Sequence, residues 1–431
     1  MNGRIAGSPG IAAGAEPAGR RPLRILTFST LYPNAAQSHH GVFVENRLRH
    51  LLAGGGIEAR VVAPVPWFPS RHPVFGSYGV FARVPGRERR HGIDIFHPRY
   101  PVIPKIGMTA APGLLYAWTR RCVTRLQRDG FDFDLIDAHY FYPDGVAAVL
   151  LARALDKPVV ITARGTDINR IPAHPAARRM IAWAARRADA MVAVCRALKD
   201  EMVTLGLPEA AIRVLRNGVD LDLFRPSPDE AATWHRELDL SSPVLLSVGA
   251  LIPRKGHDLV IRALRHLPAA HLMIVGAGAQ DGRLRRLAAE EGVAERVHFL
   301  GPRPHDTLPG IYSAADVLVL ASDREGWPNV LLEAMACGTP VAATAVWGNP
   351  EVVAAPAAGR LIPERSPEAI ARTVASLLAD PPGRAATRRY AEGFGWDDTS
   401  RGQRILFREV LERRGLIFGN RNTDPLISNL E

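Results

Sequence analysis

The sequence predicts an α/β protein made of two doubly wound domains that face each other across a central cleft. Three observations carry that prediction. A chain of 431 residues is long for one core and suits two. Short β-branched, apolar runs alternate with helical patterns from one end to the other, as parallel sheets covered on both faces require. The rhythm breaks in "RVLRNGVDLDLFRPSPDE" (213–230), where Asn-Gly and two prolines interrupt it.

Residues 1–21 contain no continuous apolar stretch and read as a disordered lead, not a secretory signal. The first domain, 22–222, takes its strands from "RILTFS" (24–29), "ARVVAPV" (59–65), "DLIDAH" (134–139), "PVVITA" (158–163) and "AMVAVC" (190–195). The second, 223–399, takes its strands from "VLLSVG" (244–249), "LMIVGAG" (272–278), "RVHFLG" (296–301), "DVLVLA" (316–321), "PVAAT" (340–344) and "GRLIP" (359–363). A helix over 400–414 follows. The tail, 415–431, gives no clear signal.

The composition, 47 % hydrophobic and 23 % charged, is that of a soluble globular chain. No run of about 18 apolar residues occurs that would span a membrane. Cys122, Cys195 and Cys337 are scattered without metal-ligand spacing, which points to a reducing, cytoplasmic compartment. Charge is less evenly spread. Residues 1–220 hold 30 Lys and Arg against 17 Asp and Glu, and the remainder hold 24 against 26. Such a basic first half is expected to meet an anionic partner. The basic clusters contain no nucleic-acid motif, so an anionic membrane surface or a lipid-linked substrate fits better. "GLLYAWTRRCVTRLQR" (113–128) is the segment expected to lay Leu, Tyr and Trp into such a surface, with Arg120, Arg121 and Arg125 facing headgroups.

The chemistry gathers around "DREGWPNVLLEAMACGTPVAA" (323–343). A strand ends, a loop carries Glu325, and a helix runs from about Asn329 to Cys337, stopped by Gly338. Its N-terminus offers the N–H groups of Val330, Leu331 and Leu332 to a phosphate. Glu333, one turn on, suits ribose hydroxyls, and Glu325 suits a second set of hydroxyls beyond the phosphates. "SVGALIPRKGHDLVIRAL" (247–264) brings Arg254 and Lys255 to the same sheet edge, where a leaving diphosphate needs its charge neutralised. Gly249 and Gly276 end strands and let the backbone approach a ligand. The G-x-G-x-x-G spacing of a dinucleotide site is missing, which argues against a nicotinamide dehydrogenase.

Taken in order, "RNGVDLDLFRP", "GALIPRKG", "VGAGAQDGRL", "VHFLG" and "EGWPNVLLEAMACGTPVAAT" resemble the retaining glycosyltransferases of family 4, whose B-type fold has two Rossmann-like domains. The resemblance covers roughly residues 23–413. It implies that Glu325 contacts the donor sugar and Glu333 the ribose. Lys255 would hold the diphosphate, helped by N–H groups of Asn329, Val330, Leu331 and Leu332. A glycine-bearing loop after the first strand is matched by "PNAAQSHHGVF" with Gly41. The final helix would cross back to brace the first domain. No metal and no cofactor would be needed beyond the nucleotide-diphosphate sugar as co-substrate.

Two positions depart from the family pattern. Ala250 stands where an arginine is usual, and Arg254 is the substitute charge. "ARGTD" puts Arg164 where a histidine is usual. An arginine stays protonated and is no base, but it can hydrogen-bond the reacting groups. Asp167, which also suits a helix cap, and His139 in "DAHYFYPDG" are then the titratable candidates. His39 and His40 read as loop surface. The function expected is hexosyl transfer, with retention, from a nucleotide-diphosphate sugar to a sugar or lipid-linked hydroxyl acceptor. Only four lysines beside abundant Arg, Ala and Pro point to a GC-rich bacterial genome, hence to cell-envelope or exopolysaccharide assembly at the inner face of the cell membrane. A nucleotide-sugar epimerase on the same fold and a non-catalytic nucleotide-sugar binder are the alternatives. Release of nucleotide diphosphate only when acceptor is present separates transfer from both.

Overall fold

The computed structural model describes residues 21–102, 107–240 and 243–416. The lead before residue 21 and the tail from 417 onward lie outside the described residues.

Two sheets organise the chain. The first has eight strands, in the order Ile212–Val214, Ala190–Ala193, Val159–Ala163, Leu135–His139, Leu23–Phe28, Ile57–Val62, Ile93–Phe96 and Arg87–Arg90. The second has six, in the order Val297–Gly301, His271–Val275, Val244–Val248, Val317–Leu320, Val341–Thr344 and Gly359–Ile362, all parallel.

Side-chain alternation decides which core each residue joins. Ile25, Val61, Leu135, Val160 and Val192 point to one face of the first sheet, while Leu26, Val62, Ile136, Ile161 and Met191 point to the other. Both faces are dry, so Leu135–His139 and Val159–Ala163 are buried at every position. In the second sheet Leu245 and Leu246 divide in the same way.

Three details differ from the sequence reading. Pro64 supplies no N–H, so the expected strand over 59–65 stops at Val62, and Val65–Pro66 pairs separately with Arg99–Tyr100. The hairpin Arg87–Arg90/Ile93–Phe96 has no apolar run to announce it on its first arm, and it gives the parallel sheet an antiparallel edge. The short edge strand Ile212–Val214 was also missed.

The helix expected over 400–414 spans Trp396–Arg413. Leu406, Phe407, Val410 and Leu411 recur along one of its faces and enter the core of the first sheet beside Ile25, Val44 and Leu48. Burial of that kind is worth about 1.5–3 kcal/mol for each large side chain. Gln403 adds buried hydrogen bonds to Arg47 (2.9 Å) and Asp137 (3.0 Å). The chain thus leaves the first sheet, builds the second, and returns to finish the core of the first.

Candidate active site

In a doubly wound sheet the strand order reverses at a switch point, and the loops on either side part to leave a crevice. In the second sheet that point lies between Val244–Val248 and Val317–Leu320. The loop after the first of these strands carries Arg254 and Lys255 in a short 3-10 turn. The loop after the second carries Glu325 and runs into the helix Asn329–Ala336. In the first sheet the switch lies between Leu23–Phe28 and Leu135–His139, so the loops ending at Gly41 and starting at Tyr140 open on the facing side.

A cavity of about 300 Å³ occupies the cleft. Val42, Phe43 and Asn46 line it from the first domain, and Gly249, Asn329, Val330 and Glu333 from the second. Gly41, at φ 74°, caps the helix Val42–Ala53 and turns its first residues into this space. His39, exposed as expected, also borders this space.

The second-domain groups are half-open and charged. Glu325 is 7 % exposed, and its carboxylate accepts from Lys255 Nζ at 2.5 Å and Ser322 Oγ at 2.7 Å. Arg254 Nη1 stands 3.6 Å away and donates to the Arg324 carbonyl at 2.8 Å. Burial pushes the Glu325 carboxyl up, but Lys255 and Arg254 outweigh it and hold it below its ordinary value. Two cations therefore meet one carboxylate, and the excess positive charge sits at the crevice. Ala250 is exposed and Arg254 is the second cation at this edge.

Glu333 lies on the cavity wall with both oxygens engaged, accepting from Tyr312 Oη at 2.7 Å and His305 Nε2 at 3.1 Å. Burial opposes the His305 charge, but Glu333 prevails and raises its pKa above the ordinary value. Sequence reading missed His305, Tyr312 and Arg303. The helix end needs a correction too: the Asn329 and Leu331 N–H groups already donate to the Trp327 and Pro328 carbonyls at 3.1 Å and 3.0 Å, so they are not the donors expected for a phosphate. Asn329 and Val330 are the residues of this turn that face the cavity. Gly276 does not line this cavity: a Cβ there would strike the Gly249 carbonyl, and its N–H donates to the Gly301 carbonyl at 3.0 Å.

The first-domain candidates come together, but behind the wall. His139 is 1 % exposed, with Nε2 3.1 Å from Asp137 and Nδ1 2.7 Å from Arg164 Nη2. Since Arg164 can only donate, Nδ1 accepts and the Nε2–H donates to Asp137. Burial, against the pull of Asp137, lowers the His139 pKa to about 4, so it is a neutral structural link, not the expected base. Asp167 is corrected in the same way. It is fully buried and accepts backbone N–H groups from Phe141 at 2.6 Å, Gly165 at 2.7 Å and Arg164 at 3.0 Å, which makes it the brace of the Arg164–Gly165 turn. Arg164 remains protonated at neutral pH even though burial and Arg47 lower its pKa to about 9. It reaches Asn217 Oδ1 at 3.0 Å, and Asn217 donates to Asn329 Oδ1 at 3.3 Å across the cleft. Asn217, from the connecting segment, was not foreseen.

The two active loops touch through glycine. Gly165, at φ 136°, would carry a Cβ 3.1 Å from the Gly326 Cα, and a Cβ on Gly326 would strike the Arg164 carbonyl. Side chains here would wedge the domains apart. Among the described residues no group of three or more His, Cys, Asp or Glu is placed to hold a metal ion.

Comparison with known proteins gives this geometry a family. Residues 230–394 match the model for glycosyl transferases group 1, and residues 40–223 match that for glycosyltransferase family 4. A GDP-mannose-dependent α-(1-6)-phosphatidylinositol monomannoside mannosyltransferase of Mycolicibacterium smegmatis is 34 % identical over 63 % of this chain and 74 % of its own length. The chain is a group 1 glycosyltransferase. This glycosyltransferase is also 31 % identical to D-inositol 3-phosphate glycosyltransferase 1 of Catenulispora acidiphila, over 91 % of the chain and 97 % of that protein. Other relatives align over about half of their length, such as 50 % for the D-inositol 3-phosphate glycosyltransferase of Mycobacteroides abscessus. Among solved structures, sucrose-phosphate synthase from Thermosynechococcus elongatus superposes with a TM-score of 0.74 at 21 % identity, covering 91 % of this chain and all of that one. HepE from Anabaena, solved with UDP-glucose, gives 0.67 at 20 % identity over 91 % of this chain and 99 % of its own. Both show the two-domain B-type fold.

Proposed function

We propose that this glycosyltransferase moves a hexosyl group, with retention and without a metal ion, from a nucleotide-diphosphate sugar on the second domain to a hydroxyl acceptor on the first. The observation that carries the reading is the excess cation at the switch point, where Lys255 and Arg254 converge on Glu325. A diphosphate leaving group gains a full negative charge as the sugar departs, and fixed cations stabilise that charge most when it has developed. Glu333 holds the nucleoside end through ribose hydroxyls, and Glu325 holds the sugar hydroxyls.

The bond from the anomeric carbon to the diphosphate oxygen breaks, and the bond to the acceptor oxygen forms on the same face. The acceptor proton passes to the departing phosphate oxygen. His139 and Asp167 are already committed inside the first domain, which favours this front-face route over one with a protein base on that side.

The mannosyltransferase relative is GDP-mannose-dependent and acts on a phosphatidylinositol mannoside, and the basic first half of this chain suits a phosphate-bearing acceptor. GDP-mannose with an inositol-phosphate or lipid-linked mannoside acceptor is therefore the first pair to test, with UDP-glucose as the alternative donor. The site of action proposed is the cytoplasmic face of a bacterial membrane, in glycolipid or envelope polysaccharide assembly. The decisive experiment follows release of the nucleotide diphosphate with and without acceptor, and reads the anomeric configuration of the product by NMR. Acceptor-dependent release with retention supports the reading. Conversion of the donor without acceptor would make the enzyme an epimerase, and tight donor binding with no turnover would make it a binder.

A further inference from the structure

The stretch expected to meet a membrane is mostly committed to packing. In the helix Gly107–Arg128, Leu115 is buried and Tyr116 packs on the core, and among the described residues no helix is long and apolar enough to cross a membrane. Hydrogen-bonding capacity left unused by the fold lies instead in the cleft, at Asn329.

Asn329 is half-buried on the wall of the cleft cavity, at the start of the helix Asn329–Ala336. Its side chain meets the protein through one atom, Oδ1, which accepts from Asn217 Nδ2 at 3.3 Å. Its Nδ2 has no partner among the described residues and is not sealed from solvent.

The bonds behind Asn329 settle which amide atom faces the cavity. An amide oxygen and nitrogen are nearly alike in shape, so their partners decide the orientation. The series begins at Arg164, which can only donate. Arg164 is held on two sides, by His139 Nδ1 at 2.7 Å from Nη2 and by the Phe43 ring, whose centroid is 5.2 Å from Cζ. Its Nη1 lies 3.0 Å from the Asn217 side chain, so the Asn217 atom there is the oxygen. The Asn217 nitrogen then points the other way and needs an acceptor, so the Asn329 atom that meets it is also the oxygen. That leaves the Asn329 nitrogen, with two N–H donors, for the cavity. A neutral histidine at position 164 would not impose this order, because its ring nitrogens donate or accept according to tautomer. Asn217 itself has little room to relax. It is 4 % exposed, the Arg216 carbonyl before it accepts from Thr399 Oγ1 at 2.6 Å, and the Val219 N–H after it donates to the Phe394 carbonyl at 2.9 Å.

We propose, resting on the nucleotide-sugar reading above, that the Asn329 side-chain amide binds the donor's diphosphate and that Asn217, oriented by Arg164, is the positioning residue that keeps those N–H groups turned to it. A group that only donates suits an atom that only accepts. A phosphate oxygen is such an atom, whereas a sugar hydroxyl does both. The charge on the phosphate also makes the bond about twice as strong as one between neutral groups. The location agrees. Gly249, on the same cavity wall, lies against Lys255, and a Cβ there would stand 3.4 Å from its Cε. A diphosphate between Lys255 and Asn329 is then met by a cation from one loop and an amide from the next. That amide belongs to the second domain but takes its orientation from the first, so the contact is complete only while Asn217 and Asn329 meet across the cleft.

The test is calorimetry of the full chain with GDP, and with UDP beside it. Asn329→Asp keeps the shape and the bond from Asn217 but turns an oxygen toward the phosphate, and should weaken binding about a hundredfold or more. Asn217→Asp is the sharper variant, because residue 217 is not on the cavity wall. Its carboxylate can only accept, so it draws the Asn329 nitrogen back and leaves the Asn329 oxygen facing the cavity. Binding should fall about tenfold or more. Asn217→Ala, which lets the amide turn either way, should lose only about two- to threefold. In an Asn329→Ala background, Asn217→Asp should cost little further. Equal losses in both backgrounds would mean that the new charge acts through space, and would overturn the positioning role. Unchanged thermal melting shows that the two isosteric variants fold. Saturation-transfer NMR with guanosine and uridine should show nucleoside binding kept in Asn329→Asp. An equal loss there would move the amide to the ribose or base and overturn the diphosphate contact. Wild-type GDP and UDP affinity in Asn329→Asp would overturn the inference and leave the transfer reading standing. A wild type that binds neither nucleotide removes both.

Discussion

Two polar clusters face each other across the cleft, and they are built on opposite plans. In the first domain Arg47, Asp137, His139, Arg164 and Asp167 are all buried and spend their hydrogen bonds on one another, on nearby backbone and on the Gln403 and Asn217 side chains, with Arg47 Nη2, Asp137 Oδ1 and Arg164 Nε left unbonded. In the second, Lys255, Arg254 and Glu325 reach the surface of a crevice, with one more cation than carboxylate. A buried, mutually bonded network specifies a shape, because each member is costly to strip of its partners. A partly solvated, unbalanced one keeps interaction free for a ligand. The difference teaches that catalytic residue types and catalytic residues are separate matters. His139 reads as a titratable candidate in sequence, and here it is scaffolding.

The largest effect should come from breaking the buried plan. Arg164→Ala leaves the buried His139 Nδ1 and Asn217 Oδ1 without their donor and removes a cation from beside the buried Asp137 and Asp167 carboxylates, and should cost about 3–5 kcal/mol of folding stability. Urea unfolding measures it. A loss of activity at unchanged stability would return Arg164 to the reaction itself and erase the contrast drawn above.

Next, Lys255→Ala should lower kcat by about 100- to 1,000-fold, the usual loss when a group that stabilises developing charge is removed. Donor KM should move far less. Steady-state kinetics decide it, and a change confined to KM would make Lys255 a ground-state binder. Arg254→Ala should also lower turnover, since it is the second cation at this edge, and wild-type rates there would show that Ala250 stands uncompensated.

Smaller again, Glu333→Ala should weaken nucleotide diphosphate binding by about 1–3 kcal/mol, as expected for a lost charged hydrogen-bond partner. Calorimetry with the free nucleotide is the measurement. Unchanged affinity would mean that Glu333 serves only Tyr312 and His305.

The least effect is in pH. The folded pKa of His305 is raised by Glu333, so its ion pair contributes fully below the unfolded value near 6.5 and fades as pH rises through the folded one. Relative to His305→Gln, the wild type should gain up to about 1 kcal/mol at pH 6 and lose that advantage by pH 8. A constant difference across this range would show that the contact is steric.

The legible part of the molecule was its local part. Apolar strands, the glycine stop at Gly338 and the cations of "PRKG" follow from near neighbours in the chain, and each appeared where expected. The hairpin Arg87–Arg90/Ile93–Phe96 escaped because an exposed edge arm needs no apolar run. His305 and Tyr312 escaped because their tie to Glu333 exists only once a separate loop and helix fold over it. Exposure is the hardest property to read. The aromatic letters of 67–78 look no different from those of a core segment, and only the folded chain shows them facing out.

One feature of the architecture bears on how the protein is made. The helix Trp396–Arg413 supplies Phe407, Val410 and the Gln403 contacts to the core of a domain whose strands are finished by Val214. A ribosome adding about 5–20 residues per second needs roughly ten to forty seconds to pass from that last strand to the helix. For that interval Ile25, Val44 and Leu48 wait at the surface of an incomplete nascent domain, exposed to chaperones and to neighbouring chains.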